Sequence, residues 1–166
     1  MTREKFTQLV RKELSGLRRF LLAACSGNHE EADDVAQEAL MKAYVASGTF
    51  GDEAGFSAWI YRIACNCLID RQRKMTPRGL TIDINQAYDV ASASRSDDAF
   101  DYQDLYQAID GLGMSERTAV LLFYMEDRSI KEITSIMNVA EGTVKAYLSR
   151  GREHLRNKLV NNNSRQ

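Results

Sequence analysis

The chain has 166 residues, of which 44% are hydrophobic and 27% are charged, and its formal net charge is −1 at pH 7. This length allows one ordinary domain or two small ones, and the composition is typical of a soluble globular protein. The neutral balance excludes a chain that is basic throughout, so any contact with nucleic acid has to come from a local patch.

The cysteines and histidines show no metal-binding pattern. Cys25, Cys65 and Cys67 include no CxxC pair, and His29 and His154 are isolated, so zinc-ligand spacing is absent. We expect three reduced, structural thiols, as in a cytosol, and no metal or cofactor. Neither a signal peptide nor an apolar run of about 20 residues is evident, which predicts a cytoplasmic protein.

Apolar residues at helical spacing predict three helices in the first half of the chain. The first covers residues 4–25, either as one helix or as two with a break at Ser15-Gly16. The second covers residues 30–46, with Tyr44 on its inner face, and its acidic first turn suits the helix dipole. The third covers residues 56–73.

A change in composition predicts a domain boundary after the third helix. Residues 76–101 are rich in Ser, Ala and Asp, include the one proline, Pro77, and lack a sustained period. So long a stretch without structure is unusual inside a domain. We therefore expect a flexible, acidic linker between a domain at 1–75 and a domain at 102–160, followed by a disordered tail at 161–166.

The second domain is predicted to be helical and to end in a helix-turn-helix. Ser129 and Glu132 form a capping box for the first helix of this motif, residues 138–140 form the turn, and the last helix runs from about 141 to 159. From residue 142 to the C-terminus there are six cations and one acid, a local basic footprint in a neutral protein. The fold class is therefore all-α, with two small helical domains.

Three separated segments resemble a known family. Residues 34–44 resemble the core-polymerase-binding helix of bacterial sigma factors, and residues 56–70 resemble their promoter-melting and minus-10 segment. The helix-turn-helix, with residues 141–145, resembles their minus-35-binding domain. The size and two-domain plan resemble the extracytoplasmic-function (ECF) group of the sigma-70 family. The resemblance implies a protein that binds core RNA polymerase and directs promoter-specific initiation.

For the second helix, the resemblance implies contact with the clamp helices of the polymerase β′ subunit. The spacing i, i+3, i+4 and i+7 places the candidates on one side of a helix. From the carboxylates alone, a solvated face would be the more ordinary interpretation. The candidates for polymerase binding are Asp34, Gln37, Glu38 and Met41.

For the third helix, the resemblance implies reading and melting of the minus-10 element. Aromatic rings offer stacking surfaces to a single strand, and cations contact its backbone. The Asn66 amide can donate and accept, which suits a base edge. Trp59 and Tyr61 could instead be core residues. The candidates are Phe56, Trp59, Tyr61, Arg62, Asn66, Asp70, Arg71, Arg73 and Lys74.

For the last helix, the resemblance implies reading of the minus-35 element in the major groove. Backbone N–H groups at the helix start favour a phosphate, and an arginine can bind guanine through two hydrogen bonds. The alternative is an amphipathic helix with a solvated basic face. The candidates are Gly142, Thr143, Lys145, Ala146, Ser149, Arg150, Arg152 and Arg156.

The expected partners follow from the same resemblance. They are core RNA polymerase, through the β′ clamp helices and the β flap, promoter DNA, and an anti-sigma factor, often a membrane protein. We expect no small-molecule substrate and no catalytic residues. A stand-alone helix-turn-helix regulator is the alternative, and it predicts tight DNA binding without polymerase. A nucleic-acid enzyme ranks last because no metal or acid/base constellation is present.

Overall fold

The structure, a computed structural model, describes residues 1–75 and 103–163. The predicted linker and the last three residues lie outside the described residues. Within the described ranges the chain forms α-helices and a 3-10 turn at Ser47–Thr49, with no strand. The helices are α1 (Arg3–Ala24), α2 (His29–Ala46), α3 (Phe56–Met75), α4 (Gln103–Asp110), α5 (Met114–Tyr124), α6 (Ile130–Met137) and α7 (Glu141–Asn163).

The first helix begins and ends at polar residues. The Thr2 hydroxyl accepts from the Lys5 backbone N–H at 3.2 Å, and α1 then runs without the break that was one alternative at Gly16. Ser26 and Gly27 have positive φ values of 60° and 80°, which ends the helix and turns the chain towards α2.

The N-terminal domain consists of α1, α2 and α3 around an apolar core. Leu17 and Phe20 of α1, Val35 of α2 and Ile60 of α3 are each completely buried. The prediction that Tyr44 lies on the inner face of α2 is wrong, since 53% of its surface is exposed. The Tyr44 ring instead lies edge-on to Phe6 at the rim, with ring centroids 5.6 Å apart.

The C-terminal domain consists of α4 to α7, and it contains the predicted helix-turn-helix. The Ser129 hydroxyl and the Glu132 carboxylate form the predicted capping box at the start of α6. Asn138 ends α6 with a φ of 54°, a left-handed conformation that asparagine tolerates better than most residues. Because α7 extends to Asn163, the predicted end of this helix near 159 and the disordered tail from 161 are wrong for residues 161–163.

The two domains pack against each other. Helix α5 contacts α1, and α6 contacts α3, so apolar residues of both domains belong to one continuous buried cluster. All three cysteines are buried, and none is paired with another in the structure. Among the described residues, no helix is both long enough and apolar enough to span a membrane.

Candidate functional site

One face of α2 is exposed and partly apolar. Met41 is 71% exposed and Val45 is 84% exposed, and Asp34 and Gln37 are exposed on the preceding turns. These residues follow one another at i, i+3, i+7 and i+11, so they share one side of the helix. Val45 was not among the residues predicted from the sequence, although its position one turn after Met41 is a signal that could have identified it.

Ion pairs hold two of the carboxylates on this face. Lys42 Nζ lies 3.1 Å from Glu38 Oε1, one helical turn away. Arg71 Nη2 lies 3.5 Å from Asp34 Oδ2, which links α3 to α2. Arg71 was expected among the minus-10 residues, but here its guanidinium lies beside α2.

A polar stripe runs along α3 on its exposed side. Arg62, Asn66, Asp70 and Arg73 are all exposed and follow one another at i, i+4, i+8 and i+11. This spacing keeps them on one side of the helix. Lys74, at the end of the described helix, is also exposed. The stripe presents two guanidinium groups, one amide and the Asp70 carboxylate to the solvent.

The three aromatic candidates on α3 do not form a common surface. Phe56 and Tyr61 are each only 1% exposed, so neither ring is presented to a ligand in this conformation. Trp59 is half-buried and stacks on Phe50, with ring centroids 4.3 Å apart and planes 10° apart. The core role that was the alternative for Tyr61 therefore describes its position here.

Tyr61 also contacts the second domain. Its hydroxyl donates to Glu126 Oε2 at 3.0 Å, and the Arg128 guanidinium lies 4.6 Å from the centre of its ring. Burial, with the neighbouring Glu126 carboxylate, raises the pKa of the Tyr61 phenol. Tyr61 is thus a neutral donor at physiological pH.

On α7 the candidates separate into two sides. Lys145, Ser149, Arg152 and Arg156 are exposed and lie at i, i+4, i+7 and i+11, which makes one stripe. Lys145 pairs with Glu141, one turn earlier, at 3.1 Å. The stripe covers about three turns of the helix and contains three cations and one hydroxyl group.

Ala146 and Arg150 lie on a different side of α7. Arg150 Nε lies 3.8 Å from Glu116 Oε1 of α5, and the Arg150 guanidinium lies 5.6 Å from the centre of the Tyr147 ring. At the helix start, Gly142 is exposed and Thr143 is half-buried. The structure therefore brings four of the eight minus-35 candidates onto one stripe.

The described residues provide no group of three or more His, Cys, Asp or Glu side chains that could hold a metal ion.

Comparison with known proteins identifies both domains. The profile of the family described as Sigma-70 region 2 matches residues 9–77, and that of Sigma-70, region 4 matches residues 102–155. Among solved structures, a sigma factor RpoE bound to the anti-sigma factor NepR from Bartonella quintana has a TM-score of 0.72 and 27% sequence identity, covering 94% of this chain and 97% of that one.

Individual relatives agree with the two profiles. The ECF RNA polymerase sigma factor SigW of Bacillus subtilis is 39% identical over 148 residues, covering 80% of this chain and 78% of the relative. The ECF RNA polymerase sigma factor SigM of Mycobacterium tuberculosis is 33% identical over 154 residues, covering 92% and 76% of the two chains. The chain therefore belongs to the ECF group of the sigma-70 family, whose members bind core RNA polymerase and direct transcription from specific promoters.

Proposed function

We propose that this sigma factor binds the β′ clamp helices of core polymerase through the exposed face of α2, residues Asp34, Gln37, Glu38, Met41 and Val45. The supporting observation is the exposure of two large apolar side chains beside carboxylates on a rigid helix. Exposed apolar patches rimmed by polar groups mark protein interfaces, and carboxylates can form paired hydrogen bonds with arginines of a partner.

The minus-10 element is read by the exposed stripe of α3. Arg62 and Arg73 are placed to contact phosphates, and Asn66 between them can contact a base edge. Trp59 is the one aromatic candidate with an accessible edge, and it lies next to this stripe. Phe56 supports the position of Trp59 from the core, since their ring centroids are 5.6 Å apart.

The minus-35 element is read by the exposed stripe of α7. Lys145 and Ser149 lie nearest the helix start and are the candidates for base contacts, because the N-terminal part of a recognition helix enters the groove. Arg152 and Arg156 follow along the same side and contact phosphates. Arg150 lies beside Glu116 on another side of the helix, so it is not part of this stripe.

We also propose that an anti-sigma factor regulates this protein in the cytoplasm, where polymerase acts. The support is the likeness to RpoE, which was solved with its anti-sigma factor NepR. The β flap of polymerase is the proposed contact for the C-terminal domain.

Transcription in vitro tests the proposed α2 surface. Core polymerase is supplied with this protein on a library of genomic promoter fragments, and new start sites are mapped. We expect these starts to disappear when Asp34, Gln37 and Glu38 are all replaced by alanine. A triple variant that binds core polymerase and initiates as well as the wild type would rule out the α2 assignment.

A DNA-binding measurement tests the alternative regulator. A stand-alone helix-turn-helix protein would bind duplex DNA tightly without polymerase, whereas we expect weak binding by the free sigma factor. A nanomolar dissociation constant for duplex DNA at physiological salt would favour the regulator.

A further inference from the structure

Two aromatic rings of α5 lie beside one arginine of α7. The guanidinium carbon of Arg152 is 6.0 Å from the centre of the Phe123 ring and 5.9 Å from the centre of the Tyr124 ring. The two rings stand edge to face, with centroids 4.9 Å apart and planes 77° apart. Both distances are within the range in which the face of a ring attracts a cation. The guanidinium therefore lies equally close to both rings.

The two rings form a fixed surface at the end of α5. Phe123 is partly buried and packs against the apolar core, whereas Tyr124, the last residue of α5, is 57% exposed. Because the exposed ring lies against the anchored one, the pair presents aromatic surface to the neighbouring helix without depending on a loop.

The close approach of α7 to α5 brings Arg152 to these rings. A Cβ atom at Gly151 would lie 2.6 Å from Val120 Cγ2, and Val120 is buried, so a residue without a side chain is needed for the helices to come this near. Arg152 follows Gly151 directly. Phe123 and Tyr124 follow Val120 by about one turn of α5. The packing of the two helices thus places the start of the arginine side chain next to the rings.

The rings leave the hydrogen-bond donors of Arg152 available. Within residues 1–75 and 103–163, the Arg152 side chain makes no ion pair and no hydrogen bond. Lys145 on the same stripe differs, since it pairs with Glu141 at 3.1 Å and a phosphate has to compete with that carboxylate. A ring attracts the charge through its face and accepts none of the guanidinium N–H groups, so an arginine can stay beside a ring and donate to a phosphate at the same time.

An arginine that is already held loses less freedom when it binds. A free arginine side chain has many rotamers, and fixing it costs conformational entropy. Neighbouring groups that restrict the side chain beforehand reduce this cost on binding. The ring pair therefore favours a phosphate contact by Arg152 without contributing a hydrogen bond of its own.

From these observations we propose that Phe123 and Tyr124 are positioning residues for minus-35 binding: their rings hold the Arg152 guanidinium on the exposed stripe of α7, where it contacts a DNA phosphate. Arg156, one turn further along this stripe, has no ring contact among the described residues and acts independently of the pair. This inference rests on the proposed role of α7 in reading the minus-35 element.

A double-mutant cycle on the holoenzyme tests the inference. Core polymerase with each variant is titrated with a duplex promoter fragment from which the wild type initiates. We expect Tyr124→Leu to weaken binding about twofold to fivefold, the size of an exposed contact between a cation and a ring. The same change should add nothing in an Arg152→Ala background. In an Arg156→Ala background, which is the matched control, Tyr124→Leu should keep its full effect.

A conservative variant separates the ring of Tyr124 from its hydroxyl. Tyr124→Phe keeps the ring and should bind the promoter as the wild type does. A loss as large as that of Tyr124→Leu would mean that the hydroxyl itself contacts DNA, and it would overturn the positioning role. Because the side chain is largely exposed, the thermal midpoint should change little in both variants, which separates weak binding from unfolding.

Nuclear magnetic resonance of the free protein detects the contact without DNA. The signal of the Arg152 Nε proton should move in Tyr124→Leu, where one ring current is lost, and stay near its place in Tyr124→Phe. An unmoved signal in Tyr124→Leu, or equal effects of this change in the Arg152→Ala and Arg156→Ala backgrounds, would overturn the inference. If Arg152→Ala alone leaves promoter binding unchanged, the proposed role of Arg152 at the minus-35 element fails and the inference falls with it, whereas the proton signal still decides whether the rings hold the guanidinium.

Discussion

Trp59 lies face to face with Phe50, and the ring centroids are 4.3 Å apart. This stack connects the segment that follows α2 to the first turns of α3. One face of the indole is therefore covered by the Phe50 ring.

Removing Phe50 should uncover the indole. Trp59 is the only tryptophan of the chain, so its fluorescence reports this stack directly. We expect Phe50→Ala to shift the emission to longer wavelength and to lower the free energy of unfolding by about 2 kcal/mol, since Phe50 is only partly buried. Phe123→Ala, a partly buried aromatic of the other domain, serves as control and should leave the emission unchanged. An unshifted spectrum in the Phe50 variant would mean that the rings do not stack.

Charge on the apolar part of α2 should weaken polymerase binding without unfolding the protein. Met41→Asp and Val45→Asp place a carboxylate on side chains that are largely exposed, so the thermal midpoint should change little. We expect affinity for core polymerase to fall at least tenfold, as is typical of residues central to an interface. Val160→Asp on α7 is the control, because Val160 is also exposed, at 56%. Equal affinities for the three variants would exclude this face.

Along α7, the arginines of the exposed stripe should act through charge. We expect Arg152→Ala and Arg156→Ala to weaken binding to all minus-35 sequences alike and each to lower the salt slope by about 1. Ser149→Ala should instead change the preference among sequences. Binding of the holoenzyme to a set of minus-35 variants at several salt concentrations measures both effects. A sequence-dependent loss in the Arg156 variant would reassign this residue to a base contact.

The three thiols should be inert in the folded protein. Burial is the main cause that raises the pKa of Cys25 and of Cys65, each to about 12, and burial also raises the pKa of Cys67. Little thiolate is therefore present at neutral pH, and access is blocked. We expect a disulfide reagent to modify the thiols only as the chain unfolds, with the rate rising in denaturant. Fast modification of one thiol in the native protein would contradict its burial.

The cap of α6 should depend on pH. Burial opposes ionisation of Glu132, but hydrogen bonds from Arg128 and Ser129 outweigh it and hold the pKa of this carboxyl below its ordinary value of 4.5. A lowered pKa in the folded state means that the carboxylate stabilises the fold above about pH 4.5 and that this contribution is lost as pH falls through the folded pKa. Because the group is partly exposed, we expect at most about 1 kcal/mol. Denaturation of the wild type and of Glu132→Gln should differ at pH 7 and converge in acid; a constant difference would exclude this titration.

Periodicity correctly indicated the helices in both domains, and the Ser129 and Glu132 capping box followed from their spacing alone. Tyr44 was predicted to lie inside because aromatic residues at inward positions of a helix are usually core residues. The Tyr44 ring lies at the rim because of the way α1 crosses α2. The periodicity of a single helix carries no information about that crossing.

Local pattern by itself determined the all-α class, the order of the helices, the turn at Asn138 and the exposed faces of α2 and α7, since each depends on residues within a few turns. The tertiary structure alone decided which candidates are covered. Tyr61 and Arg71 are exposed or covered according to what packs beside α3. The hydrogen bond from Tyr61 to Glu126 joins residues that are 65 positions apart in the chain. Such a pair is a property of packing between domains, and no spacing along a single helix encodes it.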